Sequence, residues 1–191
     1  MIELPEHFRS AFLSTLGGIF GANLLFGFVF GSFAKGYATF GHDIDTFVCL
    51  ETRNSFAERG YLVWLENIHD ELGLVVDKDY PAEIVCQADL EHMLKRLKRL
   101  RLALNDNESS AFDYVVWTEA LAGPKRFMVG DERKALHYER RCVGFPEKWR
   151  LDILQSLIER GDPRAKLCQE RDAVYMLRKI VCFESNAKPC R

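Results

Sequence analysis

The stretch Phe28–Leu50, FVFGSFAKGYATFGHDIDTFVCL, constrains this chain more than any other. Two short apolar runs are joined by a glycine-bearing polar loop, and the second run is entered through Asp43-Ile44-Asp45. Continuous apolar runs of this length bounded by Gly and Ser read as buried strands. Side chains alternate along a strand, so Asp43 and Asp45 project to one face while Ile44 points into the core. Two carboxylates this close repel each other unless a cation lies between them. Hard oxygen donors with open positions suit Mg²⁺ or Mn²⁺ held together with phosphate groups. Gly31 lets backbone approach an anion closely, and Ser32 offers both a hydroxyl and an N–H. A short helix starting there directs its N-terminal dipole at the same anion, and Lys35 adds a point charge.

The rest of the chain frames that stretch. Pro5 sits near the start of a helix running to about Gly18 or Gly21, with Phe8, Phe12, Leu13 and Leu16 on one side. Strands are expected over Leu24–Phe30 and Ile44–Leu50, and a helix over Phe56–Leu72, capped by Asn54 or Ser55 and ended by Gly73. A third strand is expected from Leu74 to about Asp79, interrupted at Tyr80-Pro81 and extended again over Glu83–Cys86. Asp89 opens a helix to about Leu104 that carries Lys95, Arg96, Lys98, Arg99 and Arg101. Beyond the polar run Asn105–Ser110 the pattern is mainly helical: Phe112–Ala122, Glu132–Arg141 with Asp131 as its cap, Trp149–Arg160 and Arg171–Phe183. The expected division is residues 1–105 as one domain and 106–191 as a helical C-terminal lobe packed on it.

With 191 residues, 48% of them apolar, the chain can bury a real core. Its net charge of −2 excludes a polybasic wrapper, but the charge is polarised. Residues 1–93 hold 5 Lys/Arg against 14 Asp/Glu, whereas residues 94–191 hold 21 against 14. An acidic front therefore meets a basic back that can face an anionic ligand. The six cysteines are irregularly spaced, without a CxxC pair or a zinc-spaced cluster, and read as reduced cytoplasmic thiols. Ser10–Ala34 is 25 residues without a charge, long enough to cross a bilayer. Its Asn, Ser, Thr and five glycines dilute that hydropathy, and the strand-and-loop reading accounts for the same residues, so no membrane span is expected. Glu3 and Glu6 stand where a signal peptide has positive charge.

Gly31-Ser32, then eleven positions to Asp43, then Asp43-x-Asp45 within apolar strands resembles the signature of the DNA polymerase beta-type nucleotidyltransferase superfamily. GSFAKG and GHDID are similar to the minimal nucleotidyltransferases, which more often carry Ser or Thr where His42 stands. The resemblance implies an α+β fold, a mixed β-sheet flanked by helices. It also implies transfer of a nucleoside monophosphate from an NTP such as ATP to a hydroxyl, with Mg²⁺ or Mn²⁺ and release of pyrophosphate. A third carboxylate is implied on a later strand. Asp77, preceded by two valines, is the expected one, followed by Asp79 and then Glu83. The implied catalytic and metal-holding set is then Asp43, Asp45 and Asp77, with Gly31, Ser32 and Lys35 on the nucleotide. Acceptors open to such a chain are tRNA or another RNA, met through the basic helix over 95–101, a partner toxin protein, or a small alcohol. The alternative is a catalytically weak nucleotide-binding or toxin–antitoxin interaction module with the same fold.

Overall fold

A computed structural model describes residues 2–39, 41–77, 81–100, 111–143 and 147–166. Asp79, the end of the basic helix at Arg101 and the helix expected over Arg171–Phe183 lie outside the described residues. The elements in order are α1 (Glu6–Phe20), a 3-10 turn (Gly21–Asn23), β1 (Leu24–Val29), α2 (Gly31–Lys35), β2 (Thr46–Leu50), α3 (Ser55–Leu72), β3 (Glu83–Cys86), α4 (Gln87–Leu100), α5 (Ala111–Ala122), β4 (Arg126–Gly130), α6 (Glu132–Cys142) and α7 (Glu147–Glu159). The chain divides into two compact units, Met1–Leu102 with Val116–Gly144, and Ala103–Val115 with Phe145–Arg191.

The first unit holds a four-stranded mixed sheet in the order β3-β2-β1-β4. β1 runs antiparallel to both β2 and β4, while β2 and β3 are parallel. This is the expected α+β arrangement of a mixed sheet flanked by helices. Residue parity on β2 sets the two faces. Ile44, Thr46, Val48 and Leu50 face α1 and α3, where Phe8, Phe12, Leu16, Phe20, Tyr61 and Leu65 fill the core. The Tyr61 hydroxyl donates to Thr46 Oγ1 at 2.9 Å, so the polar group this face buries is satisfied. On the opposite face Phe47 stacks with Phe26 and Phe28, and Tyr138 of α6 packs on Phe26. An Arg141–Glu91 ion pair at 2.7 Å ties α6 to α4.

Local chemistry explains the helices. The buried residues of α1 recur every four positions, Phe8, Phe12, Leu16 and Phe20, one continuous stripe. The uncharged stretch Ser10–Ala34 is thus spent on the end of α1, β1 and the start of α2. No helix among the described residues is long and apolar enough to cross a membrane. Asn54 caps α3 by accepting from Ala57 N–H at 3.1 Å, and Glu58 accepts in return from Asn54 N–H at 2.9 Å. Asp131 caps α6 in the same way, accepting from the N–H groups of Arg133 and Lys134.

Two expectations are corrected. Leu74–Asp77 form no strand, because Leu74 closes α3 instead: its N–H donates to His69 O at 2.9 Å, and its side chain is buried against the core while Val75 is 58% exposed. The strand that pairs with β2 begins only at Glu83. The helical reading of residues 106–191 also misses β4, which extends the sheet beyond β1. β4 ends at Gly130, with φ of 86°, where an added Cβ would lie 2.5 Å from the Leu25 carbonyl oxygen. Gly130→Ala is therefore expected to loosen β4 from β1 and cost about 2 kcal/mol or more of stability, measured by urea unfolding.

Candidate active site

The site forms where the β1–β2 ladder runs out. The last registered pair is Val29 with Thr46, and one further bond follows, Phe30 N–H to Asp45 O at 2.9 Å. The chain then turns at Gly31, whose φ of 63° opens α2. Asp45 occupies the space that a side chain at position 31 would need: a Cβ there would lie 1.8 Å from Asp45 Oδ2 and 2.5 Å from its Cγ. The carboxylate of the second aspartate thus lies against the backbone of the Gly-Ser turn. Ile44 is fully buried, and Asp43 and Asp45 on either side of it are half-buried, the alternation that the sequence predicts.

The residue after Gly31 carries an unmet hydrogen-bonding group. Ser32 is only 7% exposed, and its Oγ has no hydrogen-bond partner. A buried hydroxyl left without a partner costs free energy, on the order of 1–3 kcal/mol, unless a ligand supplies one. Phe33, almost fully buried, anchors α2 to the core. The loop that follows is built: Thr39 N–H donates to His42 Nδ1 at 2.9 Å, and His42 N–H donates to Thr39 O at 2.9 Å. The Tyr37 ring packs edge-on against the His42 ring.

Lys35, at the end of α2, donates to Glu119 Oε1 of α5 at 2.5 Å, with both side chains largely buried. Glu83 opens β3 opposite Phe47, and that register puts it on the sheet face shared by Asp43, Asp45 and Phe47. Its Oε2 accepts from Trp117 Nε1 of α5 at 2.6 Å. Asp77, the expected third acid, lies outside any strand in the segment between α3 and β3. Among the described residues no group of three or more His, Cys, Asp or Glu side chains is gathered where it could hold a metal ion. The structure therefore sets Asp45 against Gly31, in the turn that Ser32 continues, and pairs Lys35 with Glu119, while Asp43 lies in the extended segment just ahead of β2. Two half-buried carboxylates on one face still suit a divalent cation that takes its remaining oxygens from phosphate and water. Cys49 shares that face, but burial pushes its thiol up to about 12, so it stays protonated and is no nucleophile.

Three contributors are absent from the sequence reading. Trp117 and Glu119 reach the site by tertiary packing, with no local signal. His69 accepts the Ile44 N–H at 2.8 Å through Nε2; its only sequence trace is a polar side chain on the buried stripe of α3.

Residues 26–102, from β1 to the end of α4, match the family model described as a nucleotidyltransferase domain. The resemblance drawn from the Gly-Ser and Asp-x-Asp residues holds over that segment, and the match supports nucleotidyl transfer in general. None of the curated proteins matches the chain. Among solved structures, a crystal structure of a toxin–antitoxin with AMP-PNP is similar at 14% identity and a TM-score of 0.43, covering 79% of this chain and 95% of that one.

Gly31→Ala tests the close approach directly. The backbone accepts alanine at this φ for about 1–2 kcal/mol, but the Asp45 carboxylate has to swing away, and the two backbones have to part as well, because Asp45 Cβ would lie 2.9 Å from the added methyl. A crystal structure of the variant should show a changed Asp45 rotamer and a wider gap between residues 31 and 45, and unfolding should show a loss of about 2 kcal/mol or more.

Proposed function

We propose that the protein is a metal-dependent nucleotidyltransferase that moves a nucleoside monophosphate from an NTP to an acceptor hydroxyl and releases pyrophosphate. The observation that carries this reading is the Asp45 carboxylate lying against Gly31, whose chain neighbour Ser32 has a buried hydroxyl without a partner. An Asp carboxylate and an orphan hydroxyl at one strand end match the two demands of a nucleotide tail, a cation to balance its charge and a donor for its oxygens.

Asp43 and Asp45 are the residues that would hold Mg²⁺ or Mn²⁺, which when bound neutralises phosphate charge and lowers the pKa of the acceptor hydroxyl. Ser32 Oγ and the Gly31 backbone orient the triphosphate, and burial of α2 through Phe33 keeps that cradle rigid. The acceptor oxygen bonds to the α-phosphorus as the bond to pyrophosphate breaks, in line and without a covalent enzyme intermediate. Among the described residues a third carboxylate would have to come from Asp77 or Glu83; the β3 register favours Glu83, but neither is gathered with Asp43 and Asp45 into a three-carboxylate cluster in the structure. Lys35 braces α2 against Glu119 of α5, and its remaining ammonium hydrogens are those it would offer to a phosphate. The basic side chains Lys95 and Arg96 of α4 favour an RNA acceptor over a protein or a small alcohol. The reduced thiols expected of the six cysteines favour the cytoplasm.

Incubation with α-phosphate-labelled NTPs, Mg²⁺ and total RNA should move label onto RNA. Asp43→Asn or Asp45→Asn should lower the rate by about 10³-fold or more, about 4 kcal/mol of lost transition-state stabilisation, with an unchanged unfolding midpoint. Saturable nucleotide binding without transfer to RNA, protein or metabolite would instead favour the interaction-module reading. Added EDTA should stop transfer without unfolding the chain.

A further inference from the structure

We propose that His69 is a positioning residue that fixes the peptide between Asp43 and Ile44, and through it the aim of the aspartate pair. The inference rests on the reading of Asp43 and Asp45 as the nucleotide-holding pair. It starts from an accounting of backbone hydrogen bonds. With Val29 opposite Thr46 and Phe30 opposite Asp45, the residue opposite Ile44 would be Gly31. Because Phe30 and Asp45 form a hydrogen-bonded pair, the next pair is of the non-bonded kind, and the Ile44 N–H points away from β1 to the side of β2 on which β3 begins only at Glu83, opposite Phe47. A buried N–H must find an acceptor elsewhere.

His69 supplies it. Its ring is fully buried, and Nε2 accepts from Ile44 N–H at 2.8 Å, a bond that spans 25 residues. Nε2 therefore carries no hydrogen, and the hydrogen is on Nδ1, which donates to Leu65 O at 2.7 Å one turn back along α3. Both ring nitrogens are committed, so the side chain has no proton to exchange with a substrate. Its one bond outside α3 goes to the backbone between the two aspartates. Ile44 is thus pinned twice, by its side chain in the α1–α3 core and by its N–H on His69. Rotation of this peptide would redirect Asp43, and the sheet itself supplies no bond to resist it.

The test compares His69→Leu, which removes the acceptor, with His69→Gln, whose amide oxygen can take the place of Nε2. Ile68→Ala serves as control, because it weakens the buried face of α3 while leaving the His69 ring and its acceptor nitrogen in place. Three quantities are read: amide hydrogen exchange at Ile44, the Mg²⁺ concentration for half-maximal binding of a non-transferable NTP analogue, and kcat against KM. In His69→Leu, Ile44 exchange should speed up at least tenfold, the Mg²⁺ midpoint should rise about tenfold, and kcat should fall about 100-fold with a smaller change in KM for the NTP. His69→Gln should recover most of each loss, and Ile68→Ala should lower stability while sparing all three. Equal effects of His69→Leu and Ile68→Ala would overturn the proposal, as would faster Ile44 exchange with an unmoved Mg²⁺ midpoint and kcat. Should His69→Leu not fold, His69→Asn, polar but too short to reach Ile44, takes its place with the same expectations. Failure of the underlying reading is distinguishable: Asp43→Asn would then leave analogue binding unaltered as well.

Discussion

Where the β1–β2 ladder stops is the constraint from which the site follows. Antiparallel pairing holds two strands together only while both stay extended. Gly31 leaves the ladder by a positive φ that only glycine adopts cheaply, and so frees the space into which Asp45 leans. On the other side of β2, where β3 begins only at Glu83, the Ile44 amide needs an acceptor, and α3 provides one through His69. A single backbone reversal thus creates the turn and the room for the carboxylate, and the late start of β3 creates the demand for a support from the neighbouring helix.

Packing makes that reversal affordable in energetic terms. The core face of β2 is clamped between α1 and α3 by Phe12, Leu16, Tyr61 and Leu65, all fully buried. The opposite face is held by the stacked rings of Phe26, Phe28 and Phe47. Each buried apolar side chain contributes about 1.5–3 kcal/mol. That surplus can carry an unsatisfied Ser32 hydroxyl and two adjacent carboxylates, which would destabilise a thinner sheet.

How much of this was legible depended on how local each signal is. The alternation of Asp43, Ile44 and Asp45 was readable because a strand's period of two is written in consecutive residues. The caps at Asn54 and Asp131 were readable because a short oxygen-bearing side chain just ahead of a helix has few other uses. The run Leu74-Val75-Val76 misled, since a helix that ends in a left-handed glycine also recruits an apolar residue just after it. β4 was hidden because its five residues show no alternation of burial and Phe127 sits at φ of 54°. Lys35–Glu119 and Ile44–His69 span 84 and 25 residues, and no local pattern encodes a partner at such a distance.

β4 also bears on how the chain can be divided. It lies outside the segment that matches the nucleotidyltransferase domain, yet it covers the flank of β1. A fragment cut at residue 102 would leave the Leu25 carbonyl and the backbone groups of Gly27 and Val29 bare along one side. Such an edge, flat and apolar, is a template for pairing with another copy, so the shortened protein would trade catalytic study for self-association.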